Sequence, residues 1–174
     1  MMTITECDIP ANSLLPRHSV ETAYFRDSYR TRQSHARATM ADLFFAIFGH
    51  HPAWIRALLI VRNTIAKWCG LEVPTASEIM TVQPRADYAI GDKIGPWPIF
   101  ALTDTELVAG RNNKHLDFRL SLLREDHEGA PSVVVSTICN VHNVAGKIYL
   151  FFIVPFHKWG VKRLIADAVA AGRL

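Results

Sequence analysis

The chain has 174 residues and a formal net charge of +3, with 49% hydrophobic and 20% charged residues. This length suits one domain, and the composition is that of a globular protein rather than of a disordered chain. The small positive charge is spread among acidic residues, so nucleic-acid binding is not expected. The most apolar run, residues 148–156, is much shorter than the roughly 20 residues of a membrane-spanning helix. No membrane span is therefore predicted.

The cysteines and the N-terminal residues predict the compartment and the limits of the domain. Cys7, Cys69 and Cys139 are odd in number and far apart, unlike the cysteines of a disulfide-stabilised secreted protein. The first residues lack a basic start followed by an apolar stretch and a cleavage site, so a cytoplasmic protein is expected. Residues 1–19 mix prolines with small polar residues, which predicts a flexible arm before a single domain over residues 20–174.

Two helices are predicted after an early strand at residues 24–32. The first helix carries apolar residues at helical spacing, namely Met40, Leu43, Phe44, Ile47 and Phe48. Thr39 can cap this helix, with Asp42 at the capping-box position. Pro52 then opens a second, amphipathic helix, and Gly70 ends it.

A run of antiparallel strands is predicted next. Glycines and prolines punctuate short stretches of β type at residues 89–94 and 99–103. Further strands are predicted at residues 106–110, 114–124 and 132–142. Short polar turns separate these three stretches, and strands joined by short turns pair in antiparallel fashion.

The C-terminal region, residues 147–174, begins strongly apolar and ends in a helical pattern. Residues 148–154 fit either a last strand or the first part of a helix that is kinked at Pro155. A long kinked helix that starts near Asn143, which can act as its N-cap, is the preferred interpretation. The strand is the alternative.

This element order is that of the helix-grip plan, in which a curved antiparallel sheet wraps a long C-terminal helix and leaves a cavity between them. Several sequence segments follow one another in a specific order: Pro52-Ala53-Trp54-Ile55-Arg56-Ala57-Leu58-Leu59 with Arg62-Asn63, Tyr88-Ala89-Ile90-Gly91-Asp92-Lys93-Ile94-Gly95, Lys114-His115-Leu116-Asp117-Phe118-Arg119, Ser136-Thr137 with Val141-His142-Asn143, and Gly146-Lys147-Ile148-Tyr149 with Pro155-Phe156-His157. From about Tyr24 to the C-terminus, the chain thereby resembles the bacterial family named domain of unknown function 2867.

The resemblance implies an α+β fold of the START-like superfamily, with two short helices after the first strand. Members of the family also occur fused behind Rossmann-type short-chain oxidoreductase domains. This chain has no Gly-x-Gly-x-x-Gly after a strand, so no cofactor of its own is expected and an oxidoreductase partner would be a separate protein. Family members often carry an aspartate where this chain has Asn112 and Asn113, so an activity that depends on that acid is not expected here.

Alternation along residues 114–124 predicts which side chains of this strand face the core. The inner set is Leu116, Phe118, Leu120 and Leu122. His115, Asp117 and Arg119 then face outward. They could form an acid–base cluster, with Asp117 orienting His115 and Arg119 holding an anion. A salt-linked polar strand face is the preferred interpretation, because the alternation explains every residue.

Pocket residues are predicted from the next strand and from the C-terminal segment. His142 shares a strand face with Asn140, Ser136 and two apolar residues. This mixture suits a ligand pocket, and it equally suits a buried histidine whose nitrogens bind neighbours. The aromatic residues of the C-terminal segment add further candidates. The predicted ligand-binding residues are Phe118, Asn140, His142, Tyr149, Phe152 and His157.

Two classes of function follow from these patterns. Binding of a lipid-like, polyketide-like or aromatic metabolite in the internal cavity is preferred. The alternative is an enzyme of the cyclase or hydratase kind that uses His115 or His142 as its base. An accessory domain of a short-chain oxidoreductase is a third possibility by analogy. No metal site is predicted, because Cys139 and His142 would face opposite sides of a strand.

Overall fold

A computed structural model describes residues 4–34, 38–50, 52–68, 70, 85 and 87–174. Cys69 lies outside these residues. The described chain has the α+β class that the sequence predicts, with a curved, open antiparallel sheet of seven strands, a long C-terminal helix, and short helices after the first predicted strand.

The elements, in chain order, are β1 (Thr5–Glu6), α1 (Arg17–Glu21), β2 (Phe25–Arg32), α2 (Met40–Phe48), α3 (Ala53–Trp68), β3 (Lys93–Ile94), β4 (Trp97–Leu102), β5 (Glu106–Asn112), β6 (Leu116–His127), β7 (Ala130–Val141) and α4 (Val144–Ala170). The strand order in the sheet is β1-β2-β7-β6-β5-β4-β3, and every neighbouring pair is antiparallel. The longest pairing joins β6 and β7, whose turn places Glu128 and Gly129 at positive φ, as a tight hairpin requires.

The C-terminal segment is a single helix of 27 residues, so the helix predicted from Asn143 onward is confirmed and the strand alternative for residues 148–154 is wrong. The Asn143 side chain accepts a hydrogen bond from the Gly146 amide at 3.2 Å and caps the first turn. Pro155 lies inside the helix.

Among the described residues, no single helix is long and apolar enough to cross a membrane. The bent pair of α2 and α3, taken together, does meet that test by length and composition.

Helix α2 forms where the sequence predicts it. Thr39 accepts a hydrogen bond from the Asp42 amide, and the Asp42 side chain accepts one from the Thr39 amide, which completes the capping box. One face of the helix is buried through Met40, Leu43 and Ile47. This face packs on the concave side of the sheet in the main core, together with the last turns of α4.

The two faces of the sheet are covered by different parts of the chain. The concave face packs against α2, α3 and α4. The convex face is covered by the N-terminal segment, where Leu15 packs against Val108 of β5 and Ile138 of β7. The segment expected to be a flexible arm therefore contributes a small apolar core of its own. Burial of apolar residues on both faces explains why β7 is buried along most of its length.

Candidate ligand-binding cavity

A cavity of about 320 Å³ lies between the concave face of the sheet and the helices. Its walls are mainly apolar. The aromatic residues among its lining are Phe25, Phe44, Phe45, Phe48, Trp97, Phe118, Tyr149 and Phe156. Aliphatic side chains of α3 and α4 complete the walls, including Leu58, Leu59 and Leu164. The volume and the lining are those of a site for a small molecule.

Helix α4 contributes residues to two packed clusters, and the cavity lies between these clusters. Near the start of α4, Tyr149 and Leu150 pack with Leu116 of β6 and Cys139 of β7. Near its end, Val161, Ile165 and Ala168 belong to the main core with α2. The middle turns of α4, around Phe156 and Gly160, line the cavity, and Tyr149, Leu150 and Val161 border it from the two clusters. The Trp54 and Trp159 rings meet edge to face, 4.8 Å apart, and connect α3 to α4 beside it.

A buried carboxylate and a histidine meet at the concave face. The Asp27 side chain is 1% exposed, and its Oδ1 atom lies 3.5 Å from Nε2 of His157. The other oxygen accepts a 3.0 Å hydrogen bond from the Tyr29 hydroxyl. Burial, with Asp27 as the next cause, raises the pKa of Tyr29 far above its usual value, so Tyr29 stays a neutral donor. His157 lines the cavity and also meets the Phe25 ring edge to face at 5.5 Å.

The neighbouring strand adds a hydroxyl and a thiol to this region. Thr137 pairs in register with Asp27, and Cys139 pairs with Phe25, so all four side chains share the concave face. Thr137 and Cys139 both line the cavity. Burial, with the Asp27 charge as a second cause, raises the pKa of the Cys139 thiol to about 12. Cys139 is therefore a neutral thiol at physiological pH and a poor nucleophile.

Two arginines lie on the cavity lining. The Arg62 guanidinium donates a hydrogen bond from Nε to the Tyr149 hydroxyl at 3.3 Å. Arg111 lines the cavity from the concave face of β5, beside Phe118 of β6. No carboxylate of the described residues lies within ion-pair distance of either guanidinium.

The predicted ligand-binding residues divide between the cavity and other places. Phe118, Tyr149 and His157 line the cavity. Asn140 and His142 do not. Asn140 lies on the convex side, where its amide donates hydrogen bonds to the Ser19 carbonyl at 2.9 Å and the Thr22 hydroxyl at 3.2 Å. The mixed face of β7 that suggested a pocket is instead covered by the N-terminal segment.

Phe152, the remaining predicted ligand-binding residue, is 49% exposed on α4 and does not line the cavity. Its ring meets that of Phe151 edge to face at 5.3 Å. The neighbouring Phe156 does contribute to the lining. The aromatic residues of α4 therefore lie on more than one face of the helix. Composition alone did not show which of these residues line the cavity.

The predicted pairing of Asp117 with His115 is replaced by other contacts. The His115 ring nitrogens lie 3.0 Å from Asn143 Oδ1 and 3.1 Å from the Gly70 carbonyl, so this side chain links α4 to the end of α3. Asp117 instead faces His142, at 3.2 Å. Arg119 stacks on the Phe100 ring at 3.7 Å, and burial lowers its pKa while Asp117 opposes that change. The predicted inner face of β6 contributes Leu116, Phe118 and Leu120 to the cavity.

Asp27 is a polar residue of this region that the sequence patterns did not single out. An acidic residue in a short strand is usually exposed. The sequence feature that could have indicated its burial was the alternation in β2, which places Asp27 on the same face as Phe25 and Tyr29. Both neighbours contribute to the concave face, through the cavity lining and the main core respectively.

Within the described residues, no group of three histidine, cysteine or acidic side chains could hold a metal ion.

In comparisons with known proteins, neither the curated proteins nor the solved structures contain a match to this chain. A family model does match residues 19–164, and its description is protein of unknown function (DUF2867). The match covers most of the chain, including every strand from β2 to β7 and most of α4. The chain therefore belongs to the DUF2867 family of proteins of unknown function.

Proposed function

We propose that this protein binds a small apolar molecule, of lipid-like, polyketide-like or aromatic character, between its sheet and its helices. The observation that carries the proposal is the cavity of about 320 Å³ with walls of aromatic and aliphatic side chains. Ligand sites in proteins have this size and are mostly apolar, with a few polar groups that orient the guest. The cavity has both properties.

The resemblance to START-like helix-grip proteins supports the same proposal by analogy. An open curved sheet with a long helix across its concave face is the arrangement expected of that plan. The cysteine pattern supports a cytoplasmic location as part of the proposal. A role beside a separate short-chain oxidoreductase rests on domain fusions in related chains, and co-purification from the native cells would test it.

Phe118→Ala provides the direct test of the cavity. The Phe118 ring borders the cavity and contacts Trp97 with ring centres 5.6 Å apart. Because part of the ring faces open space, its removal should lower the free energy of unfolding by about 1–3 kcal/mol, less than the roughly 3–5 kcal/mol of a solidly packed phenylalanine. Binding of the neutral fluorescent probe N-phenyl-1-naphthylamine should change at least severalfold. Urea denaturation and a fluorescence titration measure the two effects.

Asp117→Asn is the matched control on the opposite face of the same strand. Asp117 is partly exposed and faces His142, so the substitution should leave the probe affinity unchanged and alter stability little. Wild-type protein that shows no saturable binding of the probe would count against the cavity as a ligand site. Loss of binding in Asp117→Asn with the fold intact would move the functional site to the convex face.

Catalysis by His157 is a second candidate function, and the contact with Asp27 is the observation that favours it. A base needs to face the substrate and to be oriented by a partner. His157 lines the cavity, and Asp27 lies 3.5 Å from its Nε2 atom. His115 and His142, the bases considered from the sequence, are absent from the described cavity lining. His50 also lines the cavity, but no carboxylate of the described residues lies within ion-pair distance of it, so a cyclase or hydratase reaction would depend on His157.

Hydrogen exchange of 2-tetralone tests this candidate. His157 would take a proton from C1 of the ketone to leave an enolate, and would return a deuteron from solvent to the same carbon. His157→Gln should slow the exchange, followed by NMR in D₂O, by about 100-fold or more, the usual contribution of a general base. His142→Gln on the convex side should retain the wild-type rate. Equal rates in wild type and His157→Gln would exclude His157 as the base.

A further inference from the structure

The buried polar atoms that make no hydrogen bond are concentrated at one place. Five buried side-chain atoms of the described residues have no hydrogen-bond partner, and three of them belong to Asp27, Thr137 and His157. Asp27 and Thr137 are register partners on adjacent strands. His157 belongs to α4, and its Nε2 atom lies 3.5 Å from Asp27 Oδ1. These three side chains form one polar cluster on the concave face.

Two members of the polar cluster reach the cavity. Thr137 and His157 belong to its lining, whereas Asp27 lies behind them and is held by Tyr29. Thr137 is 1% exposed and its hydroxyl has no partner among the described residues. Burial of a polar group without a hydrogen bond is unfavourable, and native proteins rarely retain such groups without a reason. A ligand atom that hydrogen-bonds Thr137 would supply the reason.

The chemistry of the polar cluster selects among ligand groups. A ligand carboxylate would be repelled by Asp27. A ligand carbonyl can accept a hydrogen bond from Thr137 but cannot donate one to a nitrogen of His157. A methyl group makes no hydrogen bond. A hydroxyl can both donate and accept, so it can satisfy the Thr137 hydroxyl and a nitrogen of His157 together. Asp27 would act as a positioning residue, because a carboxylate beside an imidazole fixes which ring nitrogen carries hydrogen.

We propose that the polar cluster of Asp27, Thr137 and His157 binds a hydroxyl group of the ligand, so that the ligand class is a phenol or an otherwise apolar alcohol. This inference rests on the proposed ligand-binding function and adds the polar group that the site recognises. The apolar walls take the hydrocarbon part. The polar cluster sets its orientation and distinguishes a hydroxylated molecule from a plain hydrocarbon.

Binding of naphthalene and 2-naphthol, two probes that differ by one hydroxyl, tests the inference. Wild-type protein should bind 2-naphthol about tenfold more tightly than naphthalene, the effect of about one well-formed hydrogen bond. Thr137→Val keeps the shape of the side chain and removes the hydroxyl, so it should abolish the preference by weakening the binding of 2-naphthol. Thr137→Ser retains the hydroxyl and should restore most of the preference. Competition with a fluorescent probe measures all the affinities.

The outcomes separate the two proposals. If neither naphthalene nor 2-naphthol binds wild-type protein, the cavity itself is not a ligand site. If both bind with equal affinity, or if Thr137→Val keeps the preference, the ligand-binding function stands and the hydroxyl assignment is wrong. Tighter binding of 2-naphthoate than of 2-naphthol, lost in Arg111→Met and kept in Thr137→Val, would assign recognition to the arginines instead. Circular dichroism and thermal unfolding confirm that each variant is folded.

Discussion

Replacement of Glu106 by alanine is expected to lower the free energy of unfolding by about 3–5 kcal/mol, because it leaves several donors without an acceptor and each buried unsatisfied donor costs about 1–3 kcal/mol. Glu106 is 1% exposed on the convex face. Its carboxylate accepts hydrogen bonds from the Ser13 hydroxyl, the Leu14 amide and the Ser121 hydroxyl, each at 2.6 Å. Alanine would leave three donors without their acceptor. Urea denaturation followed by tryptophan fluorescence measures the change.

The same contacts predict where the loss of structure begins. Two of the three donors belong to the N-terminal segment, so Glu106→Ala should expose the chain around Arg17 to trypsin before the sheet unfolds. Glu106→Gln keeps the shape but turns one acceptor into a donor, and it should fall between alanine and wild type. Glu21→Ala, at an exposed acidic residue of α1, is the control and should change little. Wild-type stability and wild-type trypsin resistance in Glu106→Ala would show that these hydrogen bonds do not hold the segment.

The packing of the N-terminal segment shows where local sequence patterns reach their limit. Residues 1–19 lack periodicity, and this is why a flexible arm was expected. What holds the segment is a carboxylate 93 positions away from Ser13, together with the contact of Leu15 with Val108 and Ile138. No window of neighbouring residues contains such a pairing. The strands themselves were predictable because their turns and alternation are local.

Helix α4 shows why one element stayed ambiguous in the sequence. A helix normally reveals itself by one apolar face, but α4 is apolar on several sides. Tyr149 and Leu150 are buried in the second core cluster, whereas Phe151 is 76% exposed. An apolar run of this kind fits a buried strand equally well. The Asn143 cap was the local feature that indicated the helix, and the structure confirms it.

The cavity-lining residues were predictable on β6 but not on β7. The reason is that the two faces of β6 differ in polarity, whereas both faces of β7 are buried. On β6, alternation identified Phe118 as an inner residue, because the outer positions carry Asp117 and Arg119. On β7 both faces are buried, so alternation could not tell which side meets the ligand, and Asn140 was assigned to the pocket. Asp27 lies at an inner position of β2. Its contact with His157 depends on where α4 packs on the sheet, which the sequence of β2 does not indicate.

Gly110→Ala is expected to lower the free energy of unfolding by about 2–4 kcal/mol, at the upper end of the effects of overpacking. A Cβ atom at Gly110 would lie 2.1 Å from the Phe118 carbonyl oxygen and 3.1 Å from the Arg119 Cα atom. Both contacts are to the backbone of β6, the partner strand of β5, so rotation of a side chain cannot relieve them. The two strands would have to separate. Chemical denaturation measures the loss.

Gly129→Ala separates this steric effect from the conformational preference of glycine. Gly129 has φ of +74° and nothing within 4 Å of its Cβ position, so its substitution should cost about 1 kcal/mol through backbone strain alone. Gly110→Ala should also weaken binding of N-phenyl-1-naphthylamine, because Arg111 and Phe118 line the cavity on either side of the displaced strand pair, whereas Gly129→Ala at the distant hairpin turn should not. If the two variants lose equal stability and bind the probe alike, close approach of β5 and β6 at Gly110 does not shape the cavity.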